Sequence, residues 1–448
     1  MAVTLESPES VGCATARGEL SSRAVAEAYI GGVCFKLGPP TLIGAELEWL
    51  TVQGERSASG PAAAPRPQLS VLADALGPYA PRSIAPDSPA LPMPGGSRVT
   101  LEPGGQIELS SVPCGTAAHL CDRLREDAGL LRELLESRSI RTVSVAADAD
   151  RRPKRLLQLP RYRAMEQSFG GIGPFGKLMM CNTAATQVSV DAGSDEAEVA
   201  ARWTALYAMG PALLAAFACS PVLRGAPPGA WASQRMRAWL RLDTTRTRPP
   251  VLDWADPVAG YGRWALDVPL LCVRGVDGAA VPGGDPGRGW SAPPGATFAD
   301  WLSGALDDEV GRRPDTSDLD YHLTTLFPPV RASGHLEVRY IDAQPGDGWT
   351  VPVHVIDALM SAPSVVAEAS VLAAPLVGRW VDAARYGLAD PGIRACAVAL
   401  LRLAAAHATT EHAARAIESA AERCLRGRTP VEAYTDSSGR AQPPGAET

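Results

Sequence analysis

The sequence of 448 residues contains very little lysine, since Lys36, Lys154 and Lys177 are the only lysines among 42 basic residues. Its 49 acidic residues leave a net charge of -7, and the isoelectric point is near 5.5. Proteins that bind nucleic acids or anionic membranes normally present a basic patch. We therefore expect neither nucleic acid nor membrane among the partners of this chain.

The nine cysteines include no Cys-x-x-Cys pair, and none lies near a histidine at zinc-finger spacing, so structural zinc is not expected. Residues 1–10 lack the basic and apolar regions of a secretory signal. The longest apolar run, 205–218, contains Gly210-Pro211 and is shorter than the ~20 residues that span a bilayer. These absences predict free thiols in a reducing, cytoplasmic environment and a core helix at 205–218.

Two further absences limit the chemistry. The sequence has no Gly-x-Ser-x-Gly elbow and no His-Glu-x-x-His motif, which disfavours a serine hydrolase or a zincin. A glycine motif at 171–177 matches Gly-x-Gly-x-x-Gly, but phosphate-binding glycine loops follow a strand and open a helix. Here we expect a helix before the motif and an extended segment after it. The motif is therefore interpreted as a turn, with a dinucleotide site or a P-loop as the less favoured alternative.

What the sequence does contain is a set of strands with acidic faces. In the segment 41–52, the two-residue period of a strand places Glu46 and Glu48 on one face. The apolar residues fall on the other face: Ile43, Ala45, Leu47 and Trp49. Similar strands are predicted within 99–110, 177–191 and 335–342. The polar face of the first carries Gln106, Glu108 and Ser110. That of the second carries Gln187, and that of the third carries Glu337 and Arg339.

The remaining pattern predicts an α+β fold with a mostly antiparallel sheet. Helices are expected at 20–36, 69–77, 117–137, 162–169 and 196–219, and almost throughout 355–426. Further strands are expected at 141–147, 236–242 and 264–273. We interpret 54–67 as a mobile loop and 275–295 as a flexible lid or insert. The chain then forms one domain, 1–433, with a helical part at 355–430 and a disordered tail at 434–448.

Carboxylates that share an enclosed face need a counter-charge or shifted pKa values, because an unpaired buried carboxylate costs several kcal/mol. One solvated sheet face is the simpler alternative. A glycosidase needs only two acids, whereas five acids on separate strands suit a site with several Mg²⁺ ions that also bind phosphates. Of the six histidines, only His322 lies among other residues of interest. A lone histidine is more often structural, so a direct chemical role for it is the less favoured alternative.

Several longer motifs in the sequence are specific enough to indicate a protein family. The segment 322–331 reads HLTTLFPPVR and is followed by Leu336-Glu337-x-Arg339, and the segment 101–110 reads LEPGGQIELS. Other matches fall in the expected order: Gly44-x-Glu46-x-Glu48, Arg161-Tyr162-Arg163-x-Met165, Thr186-Gln187-Val188-x-Val190-Asp191 and Ala265-Leu266-Asp267-Val268-Pro269. Residues 40–345 thus resemble the glutamate–cysteine ligases of the plant and proteobacterial type. The arginine-rich composition is most similar to actinobacterial members that serve ergothioneine synthesis.

This resemblance implies a fold like the catalytic domain of glutamine synthetase, with an antiparallel sheet curved around the active site. It implies a reaction in which ATP phosphorylates the γ-carboxylate of L-glutamate and the amine of L-cysteine attacks the acyl phosphate. ATP and Mg²⁺ would be required, and we expect a cytoplasmic monomer or weak homodimer. The insert at 281–295 and the helical C-terminal region depart from the plant enzymes, which leaves the cysteine pocket undefined.

The resemblance also implies roles for individual residues. The metal ligands would be Glu46, Glu48, Glu102, Glu108, Gln187 and Glu337, with Gln187 in a slot where related ligases can use histidine. Arg339 and Glu337 would be catalytic. Glutamate would be bound by Arg235, Arg339 and Gln106, and nucleotide or phosphate by Thr324, Thr325 and Arg331. Two alternatives remain: a ligase that uses another amine, and a non-catalytic homologue that binds amino acid or nucleotide.

Overall fold

In the computed structural model, residues 18–54, 64–248, 256–274 and 290–438 are described. Within them, seven strands form one sheet in which every pair is antiparallel. The order is β2-β3-β1-β5-β7-β6, and β4 pairs with the far end of β1. The strands are β1 Ile43–Gln53, β2 Arg98–Leu101, β3 Ile107–Ser110, β4 Ile140–Val143, β5 Ala185–Val190, β6 Val330–Ala332 and β7 Leu336–Asp342. The predicted α+β class is confirmed.

Helices surround this sheet and make up most of the rest of the described chain. In chain order they are α1 Arg23–Cys34, α2 Leu69–Leu76, α3 Ala117–Glu136, α4 Pro160–Ile172, α5 Phe175–Asn182, α6 Glu196–Phe217, α7 Gln234–Leu242, α8 Thr244–Thr247, α9 Pro257–Asp267, α10 Phe298–Ser303, α11 Asp307–Val310, α12 Thr316–Leu323, α13 Thr350–Leu359, α14 Pro363–Ala373, α15 Trp380–Tyr386, α16 Pro391–Ala406, α17 Glu411–Leu425 and α18 Pro430–Ser438. The predicted helices in 20–36, 69–77, 117–137, 162–169 and 196–219 are present.

The main core lies between one face of the sheet and α6 with the C-terminal helices. Ile43, Ala45 and Leu47 of β1 are buried there, as the two-residue period predicted. On β7, the ring of Tyr340 lies 5.3 Å from that of Trp380, which α15 contributes. Burial of this apolar face fixes the register of the strands, because a shift of one residue would turn it outward. The acidic residues are thereby left on the opposite face.

Two predicted strands are wrong. The segment 236–242 belongs to helix α7, which Ser233 caps by accepting a hydrogen bond from the backbone N–H of Met236 at 3.0 Å. Much of 264–273 is also not a strand, since α9 continues to Asp267 and only isolated bridges follow it, at Pro269 and Cys272. Both segments are rich in apolar residues that also suit a strand, but side-chain caps and tertiary packing favour a helix in 236–242 and in 264–273 as far as Asp267.

The segment after the glycine motif was also wrongly predicted as extended, because helix α5 begins at Phe175. The motif nevertheless joins two helices and does not follow a strand, so it lacks the geometry of a dinucleotide fingerprint or P-loop. Helix α18 reaches Ser438, inside the segment 434–448 that was predicted to be a tail. The predicted loop and lid fall largely on 55–63 and 275–289, which lie outside the described residues.

No single helix in the described part of the chain is long and apolar enough to cross a membrane. One pair, Thr350–Leu359 with Pro363–Leu376, meets the length and composition criteria only together and is bent by 108°.

Candidate active site

A cavity of about 200 Å³ lies on the acidic face of the sheet. Most of the site residues predicted from the sequence line it: Glu46, Glu48, Glu102, Gln106, Glu108, Gln187, Arg235, Thr324, Arg331 and Arg339. Glu337 does not line the cavity, but it binds Arg331 and Arg339, which do. Thr325 is turned away, since its hydroxyl donates to the backbone oxygen of His322 at 2.7 Å. Glu46, Glu48, Glu102 and Glu108 therefore share one cavity.

Strand pairing brings the acids together. Glu48 of β1 stands opposite Glu108 of β3, and Glu46 stands opposite Gln187 of β5. The register between β5 and β7 shifts so that Arg339 and Tyr340 together face the single position of Gln187. Such a bulge redirects the side chains next to it. Residues that are far apart in the sequence therefore reach one cavity from four neighbouring strands.

The turn between β2 and β3 supplies Glu102. Gly104 must be glycine, because a Cβ atom there would lie 2.3 Å from the backbone oxygen of Cys181 at the end of α5. Gly105 adopts a φ of +84°, a conformation that glycine tolerates best. The side-chain Nε2 of Gln106 donates to the backbone oxygen of Thr183 at 2.9 Å. The turn is therefore fixed against the segment between α5 and β5, at the floor of the cavity.

The cavity carries an excess of negative charge. Burial and the nearby Glu108 carboxylate raise the pKa of Glu48 to about 7. Burial, with Glu108 and Glu48 close by, raises the pKa of Glu102 to about 8. Burial also raises the pKa values of Glu46 and Glu108. The nearby arginines do not compensate for these four carboxylates, so a bound cation would be stabilised here.

Glu337 behaves differently. Burial acts to raise its pKa, but Arg331 and Arg339 outweigh that effect and bring the pKa to about 2. The Nε atom of Arg331 donates to Oε2 of Glu337 at 2.6 Å, and Nη1 of Arg339 donates to Oε1 at 2.8 Å. Nε of Arg339 is buried and has no hydrogen-bond partner within the described residues. This donor is positioned next to the cavity and is available to a ligand.

Arg235 reaches the cavity from α7. Its Nη2 donates to the backbone oxygen of Arg339 at 2.7 Å, and its Nη1 lies 3.7 Å from Oδ1 of Asp342. The guanidinium carbon lies 5.9 Å from the centre of the Trp239 ring, one helical turn further along α7. Burial lowers the pKa of Arg235, while Asp342 and Glu48 act in the opposite direction. A cation fixed beside the acids can bind a carboxylate by its planar fork.

Several lining residues were not assigned roles from the sequence. Arg161 of α4 lines the cavity and donates two hydrogen bonds to Thr324, through Nη1 to Oγ1 at 3.0 Å and through Nη2 to the backbone oxygen at 2.8 Å. It belongs to a motif that the resemblance used only for recognition, and that motif was the available signal. The apolar wall comprises Tyr162, Met165, Met179, Met180, Trp239 and Phe327. Tyr162, Met165 and Phe327 belong to the motifs used for recognition, whereas Met179, Met180 and Trp239 gave no sequence signal.

His322 is structural. Its Nε2 lies 2.7 Å from the backbone oxygen of Ala265, and the side chain is buried. Burial lowers its pKa to about 4. The ring therefore remains neutral at pH 7 and joins α12 to α9, away from the acids.

The donor set suits a hard cation, although the present positions do not yet enclose one. Among the described residues, no three His, Cys, Asp or Glu side chains converge closely enough to hold a metal ion. Their oxygens are engaged instead: Glu108 accepts from Thr100 and Ser110. Nε2 of Gln187 donates to Glu46 and Glu48 at 3.0 Å each. Its Oε1 is buried and has no partner in the described ranges of the chain. Carboxylate and amide oxygens with raised carboxylate pKa values fit Mg²⁺, provided that the side chains rotate toward it.

The chain resembles known proteins over most of its length. Residues 42–442 match the sequence profile of glutamate–cysteine ligase family 2. The glutamate–cysteine ligase EgtA of Mycolicibacterium smegmatis is 36% identical over 396 residues, which cover 88% of this chain and 86% of the relative. The chloroplastic glutamate–cysteine ligase of Medicago truncatula is 32% identical over 255 residues, 56% of this chain and 48% of the relative.

A solved structure shares the fold. The glutamate–cysteine ligase of Francisella tularensis, determined in complex with AMP, superimposes with a TM-score of 0.50 over 90% of this chain and 86% of that one. The sequence identity is 12%, so this likeness concerns the fold alone.

Proposed function

The chain belongs to glutamate–cysteine ligase family 2, and on that premise we propose that its cavity joins the γ-carboxylate of L-glutamate to the amine of L-cysteine with ATP. The γ-carboxylate attacks the terminal phosphorus of ATP, which releases ADP and forms γ-glutamyl phosphate. The cysteine amine then attacks the acyl carbon, phosphate leaves, and γ-glutamylcysteine is formed. One observation carries this proposal: four carboxylates with raised pKa values and four arginines line a single cavity.

The opposite charges of the cavity suit the two kinds of group that the reaction brings together. Glu46, Glu48, Glu102 and Glu108, which line the cavity, together with Oε1 of Gln187, are the proposed ligands of Mg²⁺. Glu337, also expected as a ligand, would have to exchange an arginine for the metal, because Arg331 and Arg339 bind both of its oxygens. Bound Mg²⁺ would neutralise the triphosphate and align its terminal phosphoryl group. The chain itself contributes the enclosed, partly apolar cavity, in which each charge interaction is stronger than in water.

Arginines are the proposed anion-binding groups. Arg235, held over Trp239, binds the glutamate carboxylate, with Gln106 at the floor of the cavity. Arg339 has a buried Nε donor with no partner in the part of the chain that the structure describes, and it contacts glutamate or the transferred phosphoryl group. Arg331, Arg161 and Thr324 line the same cavity and are candidates for phosphate contacts. Thr325, whose hydroxyl is bonded within its own turn, supports this region only indirectly.

The reaction is tested by incubating the full chain with ATP, Mg²⁺ and L-glutamate together with one amine at a time. ADP release and the mass of the product are measured for L-cysteine and for other amino acids. We expect ADP and γ-glutamylcysteine in equal amounts with cysteine. If another amine is preferred, that amine and not cysteine is the acceptor. If the chain binds glutamate or nucleotide but releases no ADP, it is a non-catalytic homologue.

The relation to EgtA supports ergothioneine synthesis as the pathway that uses the product. Expression of this chain in a strain of M. smegmatis that lacks EgtA should restore ergothioneine, and the Glu48→Gln variant should not. If the wild-type chain makes γ-glutamylcysteine in vitro but does not restore ergothioneine, the pathway assignment is wrong and the reaction is retained.

A further inference from the structure

Asp342 ends strand β7 and is almost fully buried, at 1% exposure. It accepts hydrogen bonds from the backbone N–H of Cys219 at 3.0 Å, from Oγ of Ser220 at 2.7 Å and from Oγ of Ser233 at 2.9 Å. It does not line the cavity. A buried carboxylate with this many donors is held in one orientation.

The two serines connect Asp342 to the first turn of α7. Ser233 accepts from the backbone N–H of Met236 at 3.0 Å and so caps this helix. Ser220 accepts from the backbone N–H of Arg235 at 3.3 Å. The position of the helix that carries Arg235 is therefore defined relative to the end of β7.

Two atoms of β7 also hold the Arg235 guanidinium itself. Nη1 faces Oδ1 of Asp342 at 3.7 Å, and Nη2 donates to the backbone oxygen of Arg339 at 2.7 Å. The same strand presents Glu337 and Arg339 to the site. Asp342 is thus the carboxylate that ties the cation of α7 to the strand with the proposed catalytic residues.

We propose that Asp342 is a positioning residue that orients Arg235 for glutamate, acting through Ser220 and Ser233 as well as through its own charge. The inference rests on the proposed role of Arg235 in glutamate binding. A guanidinium binds a carboxylate well only when its fork is correctly aimed. Loss of the Asp342 charge removes one of the two anchors of that fork, while the residues proposed for the nucleotide keep their own bonds.

The test compares Asp342→Asn with Asp127→Asn in the full chain. Asp127 is equally buried and accepts backbone hydrogen bonds from Gly95 at 2.6 Å and Ser97 at 3.0 Å, but it does not line the cavity or contact Arg235. Both variants lose a buried charge, so a purely structural effect should appear in both. The KM for glutamate, the KM for ATP and the Kd for glutamate by calorimetry are measured for each.

We expect Asp342→Asn to raise the KM and Kd for glutamate about tenfold, with the KM for ATP changed by less than about threefold. Asp127→Asn should change neither KM by more than about twofold, whatever it does to the melting temperature. Equal changes in the two variants, or an Asp342→Asn enzyme with the glutamate KM of the wild type, would overturn the inference.

Arg235→Lys and the double variant separate this inference from the proposed function. If Arg235→Lys raises the glutamate KM and Asp342→Asn adds nothing to it, the two residues act as one unit, as proposed. If Arg235→Lys raises this KM and Asp342→Asn alone does not, only the positioning role is refuted. If Arg235→Lys leaves it unchanged, the proposed glutamate role of Arg235 is refuted, and the inference with it.

Ser220→Ala is the second variant, for the case in which Asp342→Asn does not fold. It removes one donor to Asp342 but keeps the Ser233 cap of α7. We expect a rise of about threefold in the glutamate KM, which corresponds to a partial loss of one hydrogen bond. A folded Ser220→Ala enzyme with unchanged glutamate KM and Kd would count against the network.

Discussion

At the scale of single residues, Glu48 is the acid whose substitution is the most informative. Its Oε2 accepts from the backbone N–H of Ala185 at 2.9 Å, and its Oε1 accepts from Gln187 at 3.0 Å. Glu48→Gln keeps the shape of the side chain but removes one of several mutually repelling charges. We expect kcat with Mg²⁺ to fall at least about a hundredfold, and the melting temperature to stay the same or to rise.

Circular dichroism and glutamate-dependent ADP release measure the two parts of this expectation. A Glu48→Gln chain that unfolds would make the carboxylate structural. A folded chain with wild-type turnover would exclude it from metal binding.

Arg339 tests the anion-binding part of the site. Its Nη1 is bonded to Glu337, and its guanidinium carbon lies 5.5 Å from the centre of the Trp239 ring. Lysine would keep the charge but lose the second donor of the fork and the stacking of a planar group. We therefore expect Arg339→Lys to lower kcat/KM for glutamate at least about tenfold. Steady-state kinetics at saturating ATP measures this kcat/KM. A value near that of the wild type would show that Arg339 acts only as a point charge.

Arg161 illustrates which residues a sequence can and cannot identify. The acids could be predicted because alternation along one strand already groups them, and the resemblance supplied the rest. Arg161 lies on a helix that shows no acidic or aromatic pattern, and its role depends on Thr324, far away in the sequence. Contacts of that kind are set by tertiary packing, which neither periodicity nor spacing encodes.

At the scale of elements, the wrong strand at 236–242 has a local cause. Every second residue from 236 to 242 is apolar, as on the buried face of a strand. The structure instead uses a helical spacing: Arg235 and Trp239 reach the cavity, and Arg237 stacks on Phe175 at 5.5 Å on another side of α7. The Ser233 cap stabilises the start of this helix, and the contacts of α7 with neighbouring elements decide for the helix over the strand.

Helix α6 depends on a glycine at its centre. A Cβ atom at Gly210 would lie 2.0 Å from the Trp380 indole, which is itself packed against Tyr207 and Tyr340. Because the indole is enclosed, it cannot move aside freely. We expect Gly210→Ala to lower the free energy of unfolding by about 1–3 kcal/mol, as measured by urea denaturation.

Gly129→Ala in α3 is the matched control, because nothing lies within 4 Å of a Cβ atom there. Alanine should stabilise this helix by about 0.5–1 kcal/mol relative to glycine. If both substitutions stabilise the protein, the close approach of α6 and α15 is not a constraint on the fold.

At the scale of the whole molecule, the sheet determines how much could be read from the sequence. Each polar-faced strand was predicted separately, and the common cavity followed only as a hypothesis. The order of the strands and the shift that sets Arg339 and Tyr340 against Gln187 depend on pairing between distant segments. A strand pattern gives the faces of a strand but not its neighbours, so these features needed the structure.

The accumulated charge of the cavity makes the stability of the molecule depend on pH. The pKa values of Glu48 and Glu102 are about 7 and about 8 in the folded chain, mainly because of burial, against an ordinary value of 4.5. Between the ordinary and the raised values, the folded chain retains protons that the unfolded chain has lost. Unfolding then releases protons, so the free energy of unfolding falls as the pH rises through this window.

We therefore expect the melting temperature without Mg²⁺ to fall between about pH 5 and about pH 8. Glu102→Gln should flatten this dependence, whereas Glu126→Gln on the exposed side of α3 should not. Addition of Mg²⁺ should raise the melting temperature more at the upper end of the range, where the carboxylates are ionised, and EDTA should reverse the gain. If the melting temperatures of the wild type and Glu102→Gln change with pH in the same way, Glu102 does not titrate in this range. If the gain from Mg²⁺ is also independent of pH, these carboxylates do not bind the cation.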